Sequence, residues 1–326
     1  MEICVVERLS GKNRGLWQSL MSRTNLAPDE DSERTVLLLE EGELLAAGSR
    51  KGNLLKCIAV DPMHQGEDLT ATLVTTLRED AFRAGHRHLF LYTKPGNEYL
   101  FRGLFFYPVV KTRDVLLMEN VRDGIRTFLD SLPVAAAGGK IGAAVMNCDP
   151  FTLGHQYLVE TAAGACDYLY VFVLSEDQGH FSSRDRFAMV QAGTAHLPNV
   201  SVLPTGPYLI SSATFPTYFL KNRDQAQTIH CALDIEIFTK YFVPHFSIGH
   251  RFLGEEPLSP MTCSYNEALC RMLPQAGVQT HVIPRRCLGD TPISASAVRA
   301  RLQAGEDIRS LVPETTYDYI VKHGLK

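Results

Sequence analysis

Short apolar runs alternate with helical stretches through the second half of the chain, and this alternation leaves few folds open. Strand-like runs fall at 141–146, 168–174, 200–203, 229–233, 246–253 and 278–283, with helical stretches at 153–163, 183–196, 214–221, 236–242 and 265–273 between them. Repetition of strand and helix in this order predicts a parallel sheet covered by helices on both faces. Such a sheet binds its ligand at the carboxyl ends of its strands, so chemistry is expected in the loops that follow them.

The first half has a different rhythm. Two runs at 35–40 and 43–49 flank Glu41-Gly42, a pair suited to a hairpin turn. A third strand is expected at 54–60. Leu69, Leu73, Leu77 and Ala81 recur at four-residue spacing and predict a helix with one apolar face. A strand at 88–93, a helix capped by Asn97 and running to 106, and a last strand at 109–118 complete the half. A short helix at 125–132 ends at Pro133, and the small, Gly-rich stretch 134–140 marks the boundary. The reading is therefore two domains, 1–133 and 138–326.

Charge and cysteine usage narrow the function. With 32 Lys+Arg against 36 Asp+Glu the formal net charge is -4, which argues against broad nucleic-acid binding through a basic face. The longest apolar run, Tyr168 to Leu174, is far too short for a membrane span, and no signal-peptide core follows Met1-Glu2. None of the 8 cysteines forms Cys-x-x-Cys or pairs with His at zinc-site spacing, so no metal ligands are assigned. These features together imply a cytoplasmic protein with neither nucleic acid nor membrane as partner.

Two loops carry the chemistry. The first strand of the second domain runs into Asn147-Cys148-Asp149-Pro150-Phe151-Thr152-Leu153-Gly154-His155, which enters a helix near Leu153. Free N–H groups at a helix start attract anions, Gly154 lets a phosphate approach the backbone, and Thr152 and His155 share a helix face. The same residues also suit a plain helix entrance, with Thr152 as cap and His155 on the surface. Near the C-terminus, Ile293-Ser294-Ala295-Ser296-Ala297-Val298-Arg299 brings two hydroxyls and a permanent charge to a second helix start. Taken alone, this loop equally suits a Ser cap and a solvated arginine.

Together the loops resemble the paired signatures of the nucleotidylyltransferase superfamily, (His/Thr)-x-Gly-His followed late in the domain by Ile-Ser-x-Ser/Thr-x-x-Arg. The segment from Asn147 to Glu160, Arg186 within 181–189, the Gly254-Glu255-Glu256-Pro257 loop and Tyr265-Asn266-Glu267 narrow the resemblance to the citrate lyase ligase family. That resemblance implies an α/β chain: a Rossmann-like nucleotidylyltransferase (HUP) parallel-sheet domain preceded by a GNAT-like α+β domain. It implies that ATP with Mg²⁺ and acetate form acetyl adenylate, whose acetyl group passes to the prosthetic-group thiol on the acyl-carrier subunit of citrate lyase. His155 and Thr152 are then expected to donate to phosphates, and Ser294, Ser296 and Arg299 to hold the β and γ phosphates. Asn147, Asp149 and Gly154 line the nucleotide loop. Lys140 and Arg186 are weaker candidates for charge near the substrates, and Phe181, Tyr208 and Phe215 for walls of an acetate pocket. The alternatives are an adenylyltransferase of coenzyme biosynthesis, which shares both loops, and a non-catalytic nucleotide-binding scaffold.

The strand at 54–60 and the residues from Asp61 to Thr70 are similar to the acetyl-coenzyme A loop of GNAT enzymes, Gln/Arg-x-x-Gly-x-Gly/Ala. Here Asp68 and Thr70 stand at the two small positions. A carboxylate in a pyrophosphate cradle is repulsive, and a Cβ restricts approach. This argues against acetyl transfer from coenzyme A. Recognition of a phosphopantetheine arm, recognition of the carrier protein, or a structural remnant remain open for this domain.

Overall fold

The structure, a computed structural model, describes every residue except 67, 137, 178, 212–213, 221–224, 257–259, 290 and 326. Contacts divide the chain into two units, 1–124 with 216–229, and 125–215 with 230–326. The sequence reading put the end of the first domain at 133. The structure instead groups the helix that follows Asp123 with the second unit and returns 216–229 to the first.

In the first unit the strands are β1 (Glu2–Val6), β2 (Arg34–Glu40), β3 (Glu43–Lys51), β4 (Leu54–Val60), β5 (Phe90–Thr93), β6 (Tyr107–Lys111) and β7 (Leu116–Glu119). Its helices are α1 (Gly11–Arg23), α2 (Leu69–Arg83) and α3 (Glu98–Arg102). The seven strands form one sheet in the order β1-β2-β3-β4-β5-β7-β6. Glu41 and Gly42 both adopt positive φ, as a tight hairpin between β2 and β3 requires. The apolar face of α2 buries Leu69, Leu73, Val74, Leu77 and Ala81. Strands β4 and β5 are the only parallel neighbours in the sheet and pair only at Leu54↔Phe90 and Leu55↔Leu91. Beyond these pairs they separate, and a cavity of about 660 Å³ opens between Ala59, Val60, Tyr92 and Thr93. This splayed, mostly antiparallel sheet with a helix after β4 is GNAT-like.

The expected single strand at 109–118 is two strands, because Thr112 Oγ1 accepts from the amides of Asp114 and Val115 and turns the chain. Asn97 does not cap α3; its Nδ2 donates to Thr93 Oγ1 instead. In the cradle loop Asp68 takes a left-handed conformation just ahead of α2 and makes no cap bond. Glu67 lies outside the described residues.

The second unit begins with α4 (Gly124–Asp130). Its sheet is formed by β8 (Ile141–Met146), β9 (Tyr168–Val173), β10 (Val200–Pro204), β11 (His250–Gly254) and β12 (Gln279–Ile283), all parallel, in the order β10-β9-β8-β11-β12. The helices α5 (Leu153–Gly164), α6 (Ser183–Thr194), α7 (Ala226–Ile237), α8 (Val243–Phe246), α9 (Pro260–Met272), α10 (Ala295–Ala304) and α11 (Glu314–Lys322) follow in chain order, with a short hairpin, β13 (Cys287–Leu288) and β14 (Thr291–Pro292), before α10. The chain lays down β8, β9 and β10 in one direction, then crosses back to place β11 on the other side of β8. The strand order therefore reverses between β8 and β11, which is where an open α/β sheet presents a crevice.

Three expectations fail here. The strand expected at 246–253 begins only at His250, because Phe246 closes α8. Residues 229–233 lie in α7, not in a strand. Residues 229–233 are its most apolar stretch and, taken alone, read as a short strand. Residues 214–220 form turns around Pro216 instead of a helix, and Lys221 lies outside the described residues.

Candidate active site

The crevice between β8 and β11 holds a cavity of about 260 Å³. Its walls come from the loop after β8, the start of α5, the ends of β11 and β12, and the loop leading into α10.

Thr152 is the N-cap of α5 and is buried. Its Oγ1 accepts from the His155 amide at 3.3 Å, and its own amide donates to His155 Nδ1 at 3.1 Å. This reciprocal cap satisfies two helix-start donors and fixes the imidazole. Because Nδ1 accepts, the neutral ring carries its proton on Nε2. Burial, the nearby Arg285 charge and, in the opposite sense, the Pro150 carbonyl set the His155 pKa, which falls from 6.5 to about 4. His155 is thus a neutral N–H donor in the resting site, not a cation. The Leu153 amide is taken by the Leu311 carbonyl at 2.9 Å. Among the described residues the Gly154 amide has no partner, leaving it as the open donor at this helix start.

Gly154 serves a purpose that its sequence context did not reveal. A Cβ there would lie 3.3 Å from the Ile293 carbonyl oxygen and 3.5 Å from Thr152 Oγ1. The glycine lets the loop before α10 close on the start of α5, bringing the two signature loops together.

Asp149 and Asn147 both line the cavity and also hold its loops. The buried Asp149 carboxylate accepts from the amides of His180 and Phe181 at 3.0 and 2.8 Å and lies 3.5 Å from Arg299 Nη1. Arg299 Nη1 also donates to the Asp149 carbonyl at 2.5 Å. Both the carbonyl and Oδ1 of Asn147 accept from Arg186 Nη1 at 2.7 Å. Arg186 is fully buried and donates further to the carbonyls of Phe181 and Glu176. It clamps the loop after β8 to the loop between β9 and α6. Ser294 caps α10 by accepting from the Ala297 amide at 3.2 Å, Ser296 is exposed, and neither serine nor Arg299 lines the cavity.

Other candidates move away from the site. Lys140 precedes β8, and its amide binds Asp167, at the end of the sheet opposite the crevice. Phe181, Tyr208 and Phe215 are buried core residues, and none lines the cavity. Sequence reading missed Arg285, which pairs with Glu256 at 2.5 Å in the cavity wall. It also missed Arg251, a buried arginine on β11 that lines the same space. Its signal was present, a charge inside an apolar strand of a parallel sheet. Tyr265 lines the cavity and donates to Asp234, while Asn266 Nδ2 holds the Gly254 carbonyl at 2.8 Å. Pro257 lies outside the described residues.

A five-stranded parallel sheet of this order, with a Thr-x-Gly-His helix start and an Ile-Ser-x-Ser loop meeting at its switch point, defines a nucleotidylyltransferase-like α/β domain. The model described as the citrate lyase ligase C-terminal domain matches residues 141–320. The citrate (pro-3S)-lyase ligase of Klebsiella pneumoniae is 39% identical over 305 residues, 91% of this chain and 89% of that protein. The Escherichia coli K12 protein of the same name is 35% identical over 324 residues, 97% of this chain and 92% of its own length. The chain belongs to the citrate lyase ligase family and is a ligase. A phosphopantetheine adenylyltransferase from Staphylococcus carnosus shares 38% identity over only 56 residues, 17% of this chain and 35% of that protein. Among solved structures, an acyl-CoA N-acyltransferase from Pseudomonas aeruginosa covers 37% of this chain and 100% of its own, at 13% identity and a TM-score of 0.32. Among the described residues no helix is long and apolar enough to cross a membrane.

Proposed function

We propose that this chain activates acetate with ATP and transfers the acetyl group to the prosthetic-group thiol on the acyl-carrier subunit of citrate lyase, in the cytoplasm. A carboxylate oxygen of acetate attacks the α-phosphorus of ATP, the bond to the β-phosphate oxygen breaks, and pyrophosphate leaves. The carrier thiolate then attacks the acetyl carbon, and AMP departs with the bonding pair. Neither step needs a covalent nucleophile from the protein, so catalysis rests on alignment and charge stabilisation.

The observation that carries this reading is the pairing of two helix starts at one switch-point crevice, with His155 held neutral in the cavity wall and its proton on Nε2. The Gly154 amide and His155 Nε2–H suit phosphate oxygens. Thr152, which lines the cavity, positions that imidazole through the cap. Arg299, part-exposed beside Asp149, and Arg285 supply positive charge for the leaving pyrophosphate, with the hydroxyls of Ser294 and Ser296 at the second helix start. Mg²⁺ would arrive as the phosphates' counter-ion and add a second neutralising charge. The first unit's cavity of about 660 Å³ is roomy enough for a phosphopantetheine arm.

ATP–pyrophosphate exchange with a panel of short carboxylates, followed by transfer to deacetylated citrate lyase, tests the reading. Exchange that depends on acetate and transfer to the lyase support it. Exchange that requires a phosphorylated co-substrate would mark an adenylyltransferase, and ATP binding without pyrophosphate release would mark a scaffold.

A further inference from the structure

Arg251 stands out once the phosphate groups are assigned. It is 2% exposed, lies on β11 and forms part of the cavity wall. Its Nε and Nη1 are buried and have no hydrogen-bond partner. Its guanidinium carbon sits 4.6 Å from the centre of the Phe238 ring, so one face is closed by an apolar surface. The Asp234 carboxylate acts on Arg251 through its charge but forms no ion pair with it and accepts instead from the Tyr265 hydroxyl. Burial and the Asp234 charge push the Tyr265 pKa well above 10, so that hydroxyl keeps its proton.

A buried guanidinium with unmet donors is costly unless something supplies the missing acceptors. The missing partner must be small, must reach the crevice, and must offer oxygen lone pairs with negative charge. A short carboxylate meets all three conditions, and the planar guanidinium matches its geometry. A polyphosphate is the weaker fit, because the groups suited to phosphate gather at the two helix starts.

We infer that Arg251 is the carboxylate-binding residue for the acid substrate. This rests on the reading of the site as a carboxylate-activating one. The acid would then enter the floor of the same cavity whose rim holds the nucleotide, leaving its second oxygen free to attack.

The test compares wild type with Arg251→Lys and Arg251→Met, measuring initial ATP–pyrophosphate exchange against acetate and against ATP. Thermal melts are recorded on each protein. The expected result is an acetate KM raised about 10- to 100-fold in Arg251→Lys, the loss of a charge-assisted contact, with the ATP KM within about twofold of wild type. Arg251→Met should raise the acetate KM further. If that variant fails to fold, Arg251→Lys, which keeps the charge, decides the matter. An unchanged acetate KM in a folded variant overturns the assignment. So does an ATP KM that rises as much as the acetate KM, which would place Arg251 in the nucleotide site. Wild-type exchange that ignores acetate would instead overturn the underlying reading, so the two failures are distinguishable.

Discussion

His155 has two separable jobs in this structure, and a set of three substitutions pulls them apart. Its Nδ1 accepts the Thr152 amide and completes the cap of α5, while Nε2–H is the donor proposed for phosphate. His155→Ala removes both. Losing the cap and stranding the amide of the buried Thr152 should cost about 1–3 kcal/mol. For a unit of this size that is a fall in Tm of about 3–10 °C. Losing one donor to a developing oxyanion should slow acetate-dependent pyrophosphate exchange about 10²- to 10³-fold. His155→Asn places its side-chain oxygen where Nδ1 stood but cannot extend to the Nε2 position. It should restore Tm to within about 2 °C of wild type while leaving exchange as slow as in the alanine variant. His155→Gln reaches the Nε2 position and loses the cap, so it should melt early and recover much of the exchange. The measurements are a thermal melt and isotopic pyrophosphate incorporation into ATP at saturating acetate. Exchange near wild type in both the alanine and asparagine variants would remove His155 from the chemistry and leave it only a cap.

Two further outcomes follow from the same geometry. Gly154→Ala gains helix propensity of up to about 1 kcal/mol but presses a Cβ against the Ile293 carbonyl, 3.3 Å away. Tm should barely change while exchange falls about tenfold, and equal losses in both would contradict the account. The pH dependence is set by a folded His155 pKa of about 4 against an ordinary value of 6.5. With the folded pKa depressed, the unfolded chain binds the extra proton between these values, so stability is full above 6.5 and declines as pH falls towards 4. The kcat/KM for ATP should accordingly show no His155 titration near 6.5, and a step there that vanishes in His155→Asn would refute the neutral-donor assignment.

Strands β8 and β9 were legible because parallel strands buried on both faces read as plain apolar runs with clear ends; Ile141–Met146 was placed to the residue. The same rule hid α7, whose short apolar stretch at 229–233 reads as a strand. The first strand and α1 were missed for the opposite reason. The strand is five residues long and mostly exposed, and α1 carries two glycines in a largely polar stretch. In the site, residue types were readable but not their allegiance. Asn147, Asp149 and Arg186 have the chemistry of ligand-binding groups, yet each spends it on another loop. Only tertiary structure brings residues 149, 180, 186 and 299 together. Arg251 was visible as an arginine inside a strand, and burial is the cost that made it informative.

The allegiance of Asp149 calls for its own test, because its place in the first signature loop assigns it to the nucleotide. In the structure its carboxylate ties the loop after β8 to the segment before α6 through two amides, and to α10 through Arg299. Gly179 is part of this arrangement, since a Cβ there would fall 2.9 Å from the carboxylate. Asp149→Ala would leave two amides and a guanidinium facing an empty space, at a cost of about 3–5 kcal/mol. Tm should fall by about 6–20 °C, and exchange should fall because Arg299 and the start of α5 lose their common tether. Asp149→Asn keeps one acceptor oxygen but turns an NH₂ group towards a donor, so its melt should lie between those of the alanine variant and wild type. A carboxylate that instead oriented the nucleotide would give a different pattern: the ATP KM would rise in both variants while Tm stayed at the wild-type value. The melt therefore separates a tether from a ligand contact, and a wild-type Tm in Asp149→Ala would return the residue to the nucleotide.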